Sequence, residues 1–240
     1  MKVAIMIPSY KEAENLEYLL PKIHDEMKLT GCEYTITVID SIKQTDDTKQ
    51  VCDKNGAIYL PRRGSDNYGD AVRTGIEDAK ADYIVFMDAD GSHDPKYLQD
   101  MLAKVKNNDM VIGSRYMKGG HTDNNVLLVL MSKLLNMTYN ILFGLKVRDV
   151  SNSLRVYSAD KIKSLILTCQ NFDIIEEIII KMSLEFSPLS VAEVPITFNK
   201  RQFGNSKRSF IKFVFSYFAT LLRLLRYKIS FKTITVNSER

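Results

Sequence analysis

Tyr83-Ile84-Val85-Phe86-Met87-Asp88-Ala89-Asp90 is a short apolar run that ends in two aspartates separated by one small residue. Its length and its β-branched and aromatic content suit a buried strand. In an extended segment alternate residues face the same way, so Asp88 and Asp90 share a side and Ala89 turns away. Two carboxylates this close repel unless a cation sits between or beside them. Mg²⁺ or Mn²⁺ is the hard ion that such oxygens select, usually with phosphate oxygens as further ligands. Taken alone, the pair reads equally well as two acids that end a strand in a turn.

The neighbouring sequence supplies the context. Residues 3–7 read as a strand and 12–27 as a helix, with Leu16, Leu19, Leu20, Ile23 and Met27 on one face. A strand over 34–39, a short helix over 47–54, a strand over 57–60 and a helix over 69–80 lead to the strand 83–87. A helix over 95–106, opened by Pro95, and a strand over 110–112 follow. This alternation predicts an α/β fold with a mostly parallel sheet covered by helices on both faces. Ligands bind such sheets at the carboxyl ends of the strands. That rule directs attention to residues 8–14, 40–47, 88–95 and 113–116.

The second half is less regular. Residues 126–145 are mostly apolar but contain Ser132, Lys133, Asn136, Thr138 and Asn140, so an amphipathic or interfacial helix is expected there. Strands over 151–157 and 190–198 and helices over 159–167 and 174–184 complete the pattern. No repeat or linker interrupts it. The economical division is one catalytic domain over 1–208 and a C-terminal extension over 209–240.

Composition agrees with a folded globular protein. The chain has 240 residues, 45% of them hydrophobic and 26% charged, which suits one sizeable core and argues against disorder. Cys32, Cys52 and Cys169 are too scattered for a disulfide framework or a zinc site and fit a reducing compartment. The opening MKVAIMIPSY is too short an apolar run for a signal peptide. The net charge of +4 is uneven: residues 200–240 carry ten Lys/Arg against one acid, and the rest carries 23 against 28. Within that basic tail, residues 210–227 form a helical pattern. Lys212, Ser216, Thr220, Arg223 and Arg226 make one polar stripe, and every other face is apolar. The pattern suits a helix lying in an anionic membrane interface, the alternative being a helix packed on the catalytic core. Nucleic acid is a poor partner, since the bases are diluted by apolar surface.

Further motifs stand at the other strand ends. They are Pro8-Ser9-Tyr10-Lys11-Glu12-Ala13-Glu14-Asn15-Leu16, Asp40, the Gly69/Ala71/Gly75 helix, and Asp88 to Pro95 with His93. Gly113-Ser114-Arg115-Tyr116 with Gly119-Gly120, Arg148-Asp149 and Ser153-Leu154-Arg155-Val156-Tyr157 follow. Val194 to Phe198 and Arg201-Gln202-Phe203-Gly204-Asn205-Ser206-Lys207 close the series. In this order and spacing the chain resembles the family 2 glycosyltransferases of GT-A fold, and most of all their dolichol-phosphate mannosyltransferase, or polyprenol-phosphate glycosyltransferase, branch. The resemblance implies that Pro8, Tyr10, Glu12 and Asp40 hold the nucleoside. It implies that Asp88, Ala89 and Asp90 meet the nucleotide sugar, that Asp88 and Asp90 hold Mg²⁺ or Mn²⁺ with Ser92 close by, and that Arg115, Arg201 and Lys207 face phosphates. Asp88, Asp90 and Arg115 are thus the expected catalytic residues. The implied reaction is inverting transfer of a hexose to a polyprenyl phosphate, with GDP-mannose the favoured donor and a UDP-hexose the other. A saccharide hydroxyl is the alternative acceptor. It requires a base, for which Glu176 and Glu177 are candidates, although both read equally well as first-turn acids stabilised by a helix dipole. The chain departs from the family at Asp40-Ser41, where two acids are usual, and has no arginine within 124–131. The expected setting is the cytoplasmic face of a membrane, held peripherally or by a separate membrane subunit.

Overall fold

The computed structural model describes residues 1–203 and 210–238. Along the first half, β1 (Lys2–Pro8), α1 (Ala13–Thr30), β2 (Glu33–Asp40), α2 (Thr48–Lys54) and β3 (Ile58–Pro61) come first. After them stand α3 (Tyr68–Asp78), β4 (Tyr83–Phe86), α4 (Tyr97–Val105) and β5 (Met110–Ser114). The second half contains β6 (His121–Thr122), α5 (Val126–Phe143), β7 (Arg155–Ser158), α6 (Ala159–Lys163) and α7 (Ile174–Glu185). It ends with β8 (Val191–Pro195), β9 (Thr197–Phe198) and α8 (Phe210–Ser238).

The main sheet has the order β3-β2-β1-β4-β7-β5-β8, and β6 pairs with β9 in a separate ribbon. In the main sheet β7 alone runs against its neighbours β4 and β5. The expected α/β sheet with helices on both faces is therefore present. The chain builds outward from β1 through β2 to β3, then returns to place β4 on the other side of β1. The carboxyl ends of β1 and β4 therefore flank a topological switch point, where a ligand cleft opens in such sheets.

Strand alternation distributes the core. Val3, Ile5 and Ile7 of β1 pack with Leu16, Leu19, Leu20 and Ile23 of α1 on one face. Ala4 and Met6 pack with Ala71 and Val72 of α3 and Ile178 of α7 on the other. Each such buried aliphatic side chain contributes about 1.5–3 kcal/mol. The face expected for α1 is the buried one, including Met27.

Three expectations are refined. The strand expected over 151–157 begins only at Arg155, because Asn152 and Ser153 turn their side chains to Gly113 and Asp88. The strand expected over 190–198 divides at Ile196 into β8 and β9, and β9 leaves the main sheet for β6. The helix over 126–143 has the opposite sense to an ordinary surface helix. Two of its amide side chains face inward: Asn136 bonds Arg148 O and Val150 N, and Asn140 bonds Val147 O. Its outer face carries exposed Val126, Leu127, Leu130, Leu134, Met137 and Ile141. By length and composition α5 is apolar enough to cross a membrane. Those inward hydrogen bonds tie it to the 147–150 segment of the domain.

The tail helix differs from expectation in a related way. Thr220 and Arg223, two members of the polar stripe, bond Asp173 in the turn before α7. Tyr227 donates to Glu185 at 2.7 Å and Lys228 to the Leu142 carbonyl at 2.6 Å. Thr220 and Leu224 are buried, whereas Phe218, Leu222 and Ile229 are exposed. The stripe thus fastens α8 to the domain, and an apolar face looks outward. The side chains of Lys212 and Ser216 lie outside the described residues.

Candidate active site

The two aspartates emerge from β4 as the alternation requires. Ala89 is buried in the core, and Asp88 and Asp90 stand partly open. Gly91 then takes φ +76°, a left-handed conformation that folds the chain back on itself after Asp90. His93 anchors this turn. Its Nδ1 accepts from the Asp88 backbone N–H at 3.2 Å. The ring proton therefore sits on Nε2, which donates to Asn152 Oδ1 at 3.1 Å. Asn152 in turn donates to Gly113 O at the end of β5. These bonds give His93 a structural role in the turn.

The carboxylates have different partners. Asp88 accepts from Ser153 Oγ at 2.8 Å and from Tyr68 OH at 3.5 Å, both neutral hydroxyls. Asp90 accepts from the Ser92 N–H at 3.1 Å and from Arg201 Nη2 at 3.2 Å. Burial opposes the Asp90 charge, but the Ser92 hydrogen bonds and the positive charge of Arg201 outweigh it and hold the carboxyl below its ordinary pKa. The same Arg201 nitrogen donates to Glu12 Oε1 at 2.9 Å. Glu12 Oε2 accepts from Asn15 at 2.6 Å. Glu12, Asp90 and Arg201 are thus assembled at the β1/β4 switch point, from three distant parts of the sequence.

On the nucleoside side, Pro8 ends β1 and Tyr10 is exposed beyond it. Asp40 is fully buried at the end of β2. One of its oxygens takes a 3.4 Å bond from Tyr59 OH, and Oδ1 has no hydrogen-bond partner. Burial pushes its pKa up, with Asp46 adding to the effect. The buried hydroxyl of Ser9 likewise lacks a partner. Buried polar atoms of this kind are costly unless something satisfies them, and both stand where strands end, Asp40 closing β2 and Ser9 following β1.

Arg115 is held differently. It chelates the buried Asp149 through Nε at 2.7 Å and Nη2 at 2.8 Å, and it also reaches Ser132 and Ser151. Its guanidinium stands over the rings of Tyr116 and Phe198. Lys207 lies outside the described residues. Glu177 accepts from Thr168 and Cys169 and pairs with Lys181 at 2.9 Å. Burial opposes its charge, and these partners nonetheless keep its pKa below the ordinary value. Glu176 is buried in the first turn of α7.

A divalent ion fits this donor set in one particular way. Among the described residues no group of three or more His, Cys, Asp or Glu is placed to hold a metal. Asp88, Asp90 and the Ser92 hydroxyl would supply only part of a coordination sphere. Mg²⁺ is commonly held in this manner, by one or two carboxylates with phosphate and water completing the shell.

Sequence reasoning did not assign roles to Ser153, Tyr68, Asn15, Asn152 or Asp149. Asn15, Asp149 and Ser153 sit inside quoted motifs, so spacing could have flagged them. Tyr68 left no local signal. It reaches Asp88 because α3 starts beside the loop 168–172. There Phe172 stacks on its ring at 4.0 Å, and a Cβ on Gly69 would meet Cys169 O at 2.2 Å.

Comparison with known proteins bears on the same residues. A dolichol-phosphate mannosyltransferase of Pyrococcus furiosus is 33% identical over 236 residues, which cover 95% of this chain and 65% of that protein. This chain therefore spans just under two thirds of that relative's length. An undecaprenyl-phosphate mannosyltransferase of Micrococcus luteus is 32% identical over 224 residues, covering 87% of this chain and 88% of the relative. Among solved structures, glucosyl-3-phosphoglycerate synthase of Mycobacterium tuberculosis with Mn²⁺, uridine diphosphate and glucosyl-3-phosphoglycerate has a TM-score of 0.70. It is 18% identical, over 93% of this chain and 80% of that one. The same enzyme with Mg²⁺ and uridine diphosphate gives 0.70 at 17% identity, over 93% and 79%. These structures speak for the fold, the expected GT-A arrangement. Residues 4–166, which carry the β1 motif, the aspartate pair and Arg115, match glycosyl transferase family 2, and the chain belongs to that family.

Proposed function

We propose that this chain transfers a hexose from a nucleoside diphosphate to the phosphate of a polyprenol or dolichol, with GDP-mannose the favoured donor. The observation that carries the reading is the assembly of Asp88, Asp90, Glu12 and Arg201 at the switch point. Carboxylates for an ion and a ribose stand there beside a cation for phosphate. Asp88 and Asp90, with Ser92 nearby, would hold Mg²⁺ or Mn²⁺, which would supply positive charge to the departing diphosphate. The bond from the anomeric carbon to the diphosphate oxygen breaks as an oxygen of the lipid phosphate attacks from the opposite face, so the configuration inverts. The nucleoside diphosphate leaves with the electron pair. A lipid phosphate is already anionic, and no proton needs to be removed. This accords with Glu177 being committed to Lys181 and the 168–169 backbone. Pro8, Tyr10 and Asp40 line the nucleoside side. Arg115 organises the acceptor side, and Lys207 follows Arg201 in the same basic segment.

Purified protein, Mg²⁺ or Mn²⁺, labelled GDP- and UDP-sugars and a short polyprenyl phosphate test the proposal. Label should move to the lipid and stop when the metal is chelated. Hydrolysis alone, or transfer to saccharides only, overturns it.

The membrane reading belongs to the same proposal. The outward face of α5 is a stripe of exposed aliphatic side chains that begins one turn from Ser132, the partner of Arg115. Lys133, Lys146 and Arg148 are exposed around it, and α5 contains no acid. The exposed face of α8 adds Phe218, Leu222 and Ile229. An apolar stripe with a basic rim suits the surface of an anionic bilayer. The setting we favour is the cytoplasmic face, held peripherally or with a separate membrane subunit. In sedimentation with phosphatidylglycerol vesicles, Leu130→Glu with Leu134→Glu should lower binding at least tenfold while the fold persists. Unchanged vesicle binding refutes the surface assignment.

A further inference from the structure

Arg201 occupies an unusual position for a residue assigned to phosphate. Its Nη2 is shared between Glu12 at 2.9 Å and Asp90 at 3.2 Å. The segment that carries it is fixed on both sides. Phe198 bridges His93, the Asn199 N–H donates to Ser92 O at 2.9 Å, and the Gln202 N–H donates to Asp90 O at 3.1 Å. Beyond it, the Phe203 N–H donates to Asn15 Oδ1 at 3.0 Å, and the same Asn15 amide holds Glu12. The backbone of this strap therefore lies along 90–93 and delivers one guanidinium to one point. Of the two aspartates, Asp90 is the one whose partner is a cation; the partners of Asp88 are hydroxyls.

A divalent ion placed on Asp90 would stand within a few ångströms of that guanidinium, and two positive charges so close repel strongly in a partly buried site. The ion and Arg201 thus compete for one carboxylate. An incoming diphosphate removes the conflict, because it offers Arg201 a replacement anion and offers the ion further oxygen ligands.

We infer that Arg201 is a built-in counter-ion of the donor site. It holds Asp90 and Glu12 while the site is empty and exchanges them for the diphosphate, so that metal and nucleotide bind as a coupled pair and the metal alone binds weakly. The inference rests on the reading of Asp88 and Asp90 as the metal-binding pair, and it adds a direction to the coupling that a simple phosphate contact does not have. Reciprocity requires the nucleotide to tighten the metal by the same factor as the metal tightens the nucleotide.

The test measures Mn²⁺ binding to the full chain by electron paramagnetic resonance of the free ion, with and without GDP or UDP. In Arg201→Gln, Mn²⁺ alone should bind about tenfold tighter than in the native protein, and the tightening caused by the nucleotide should shrink. Arg201→Lys keeps the charge and should stay near the native metal-alone affinity, which guards against an effect of misfolding. Equal or weaker metal-alone binding in Arg201→Gln overturns the inference and leaves Arg201 a phosphate contact only. Asp90→Asn tests the underlying reading separately. Mn²⁺ binding that survives Asp90→Asn places the ion elsewhere, whatever Arg201 does.

Discussion

Arg115 and Arg201 both meet carboxylates beside the cleft, and the molecule uses them in opposite ways. Arg115 is buried, chelates a single fully buried aspartate through two nitrogens and donates to two serines besides. Arg201 is more open and divides one nitrogen between two carboxylates from different strand ends. A bidentate pair away from water has no competing solvent, so breaking it disturbs the fold around it. A shared donor at the lip of a cleft can be exchanged for another anion at small loss. The chemistry of the side chain is the same in both places. Burial and geometry decide whether it holds the fold or serves a ligand.

The largest effect that would break this contrast is at Arg115. Arg115→Ala leaves Asp149 charged, buried and without its principal partner, which costs about 3–5 kcal/mol. The same aspartate accepts the Arg115 backbone N–H at 3.0 Å, so the disturbance extends into the end of β5. Urea denaturation should show the midpoint falling accordingly. Arg201→Gln should move it by less than about 1 kcal/mol, as for a pair near the surface. Equal losses at the two sites would mean that both arginines are structural.

The same contrast explains what could be read from the sequence. The first half was legible because β1, β2 and β4 are short, largely apolar runs buried on both faces, and α1 and α4 each bury one face at helical spacing. The Asp88/Asp90 pair and Glu12 stood out because strand alternation and the strand-end rule gave them a side and a location. The partners that make the site work were less visible. Asn15, Ser153 and Tyr68 act through the tertiary approach of distant segments, up to 188 residues apart for Asn15 and Phe203. Polarity alone gave no orientation in the second half. Asn136 and Asn140 on α5 and Thr220 on α8 face the protein, because loop carbonyls and Asp173 take their hydrogen bonds. Burial of a polar residue follows its partner, and the sequence does not name the partner.

Asp70 and Arg73 form a third pair, about as open as that of Arg201, and they sharpen the comparison with a smaller effect. Asp70 accepts from Arg73 at 2.6 Å and from the Ser65 N–H and hydroxyl at 2.8 and 2.7 Å, near the N-terminus of α3. Arg73 also donates to Cys169 O at 2.6 Å, which ties the pair to the loop that places Phe172 on Tyr68 beside Asp88. Burial acts to raise the Asp70 pKa, but the hydrogen bonds from Arg73 and Ser65 outweigh it and bring it from 3.8 to about 2. A carboxyl whose pKa is lower in the folded state stabilises the protein above its unfolded value and loses that contribution as pH falls through the folded one. Asp70→Asn should therefore melt about 2–4 °C lower than the native chain near pH 6, and the gap should narrow as pH drops from about 4 toward about 2. Thermal melts of both proteins at pH 6, 4 and 3 measure it. A gap that stays constant across that range would show that the carboxylate charge contributes nothing and that the pair acts through shape alone.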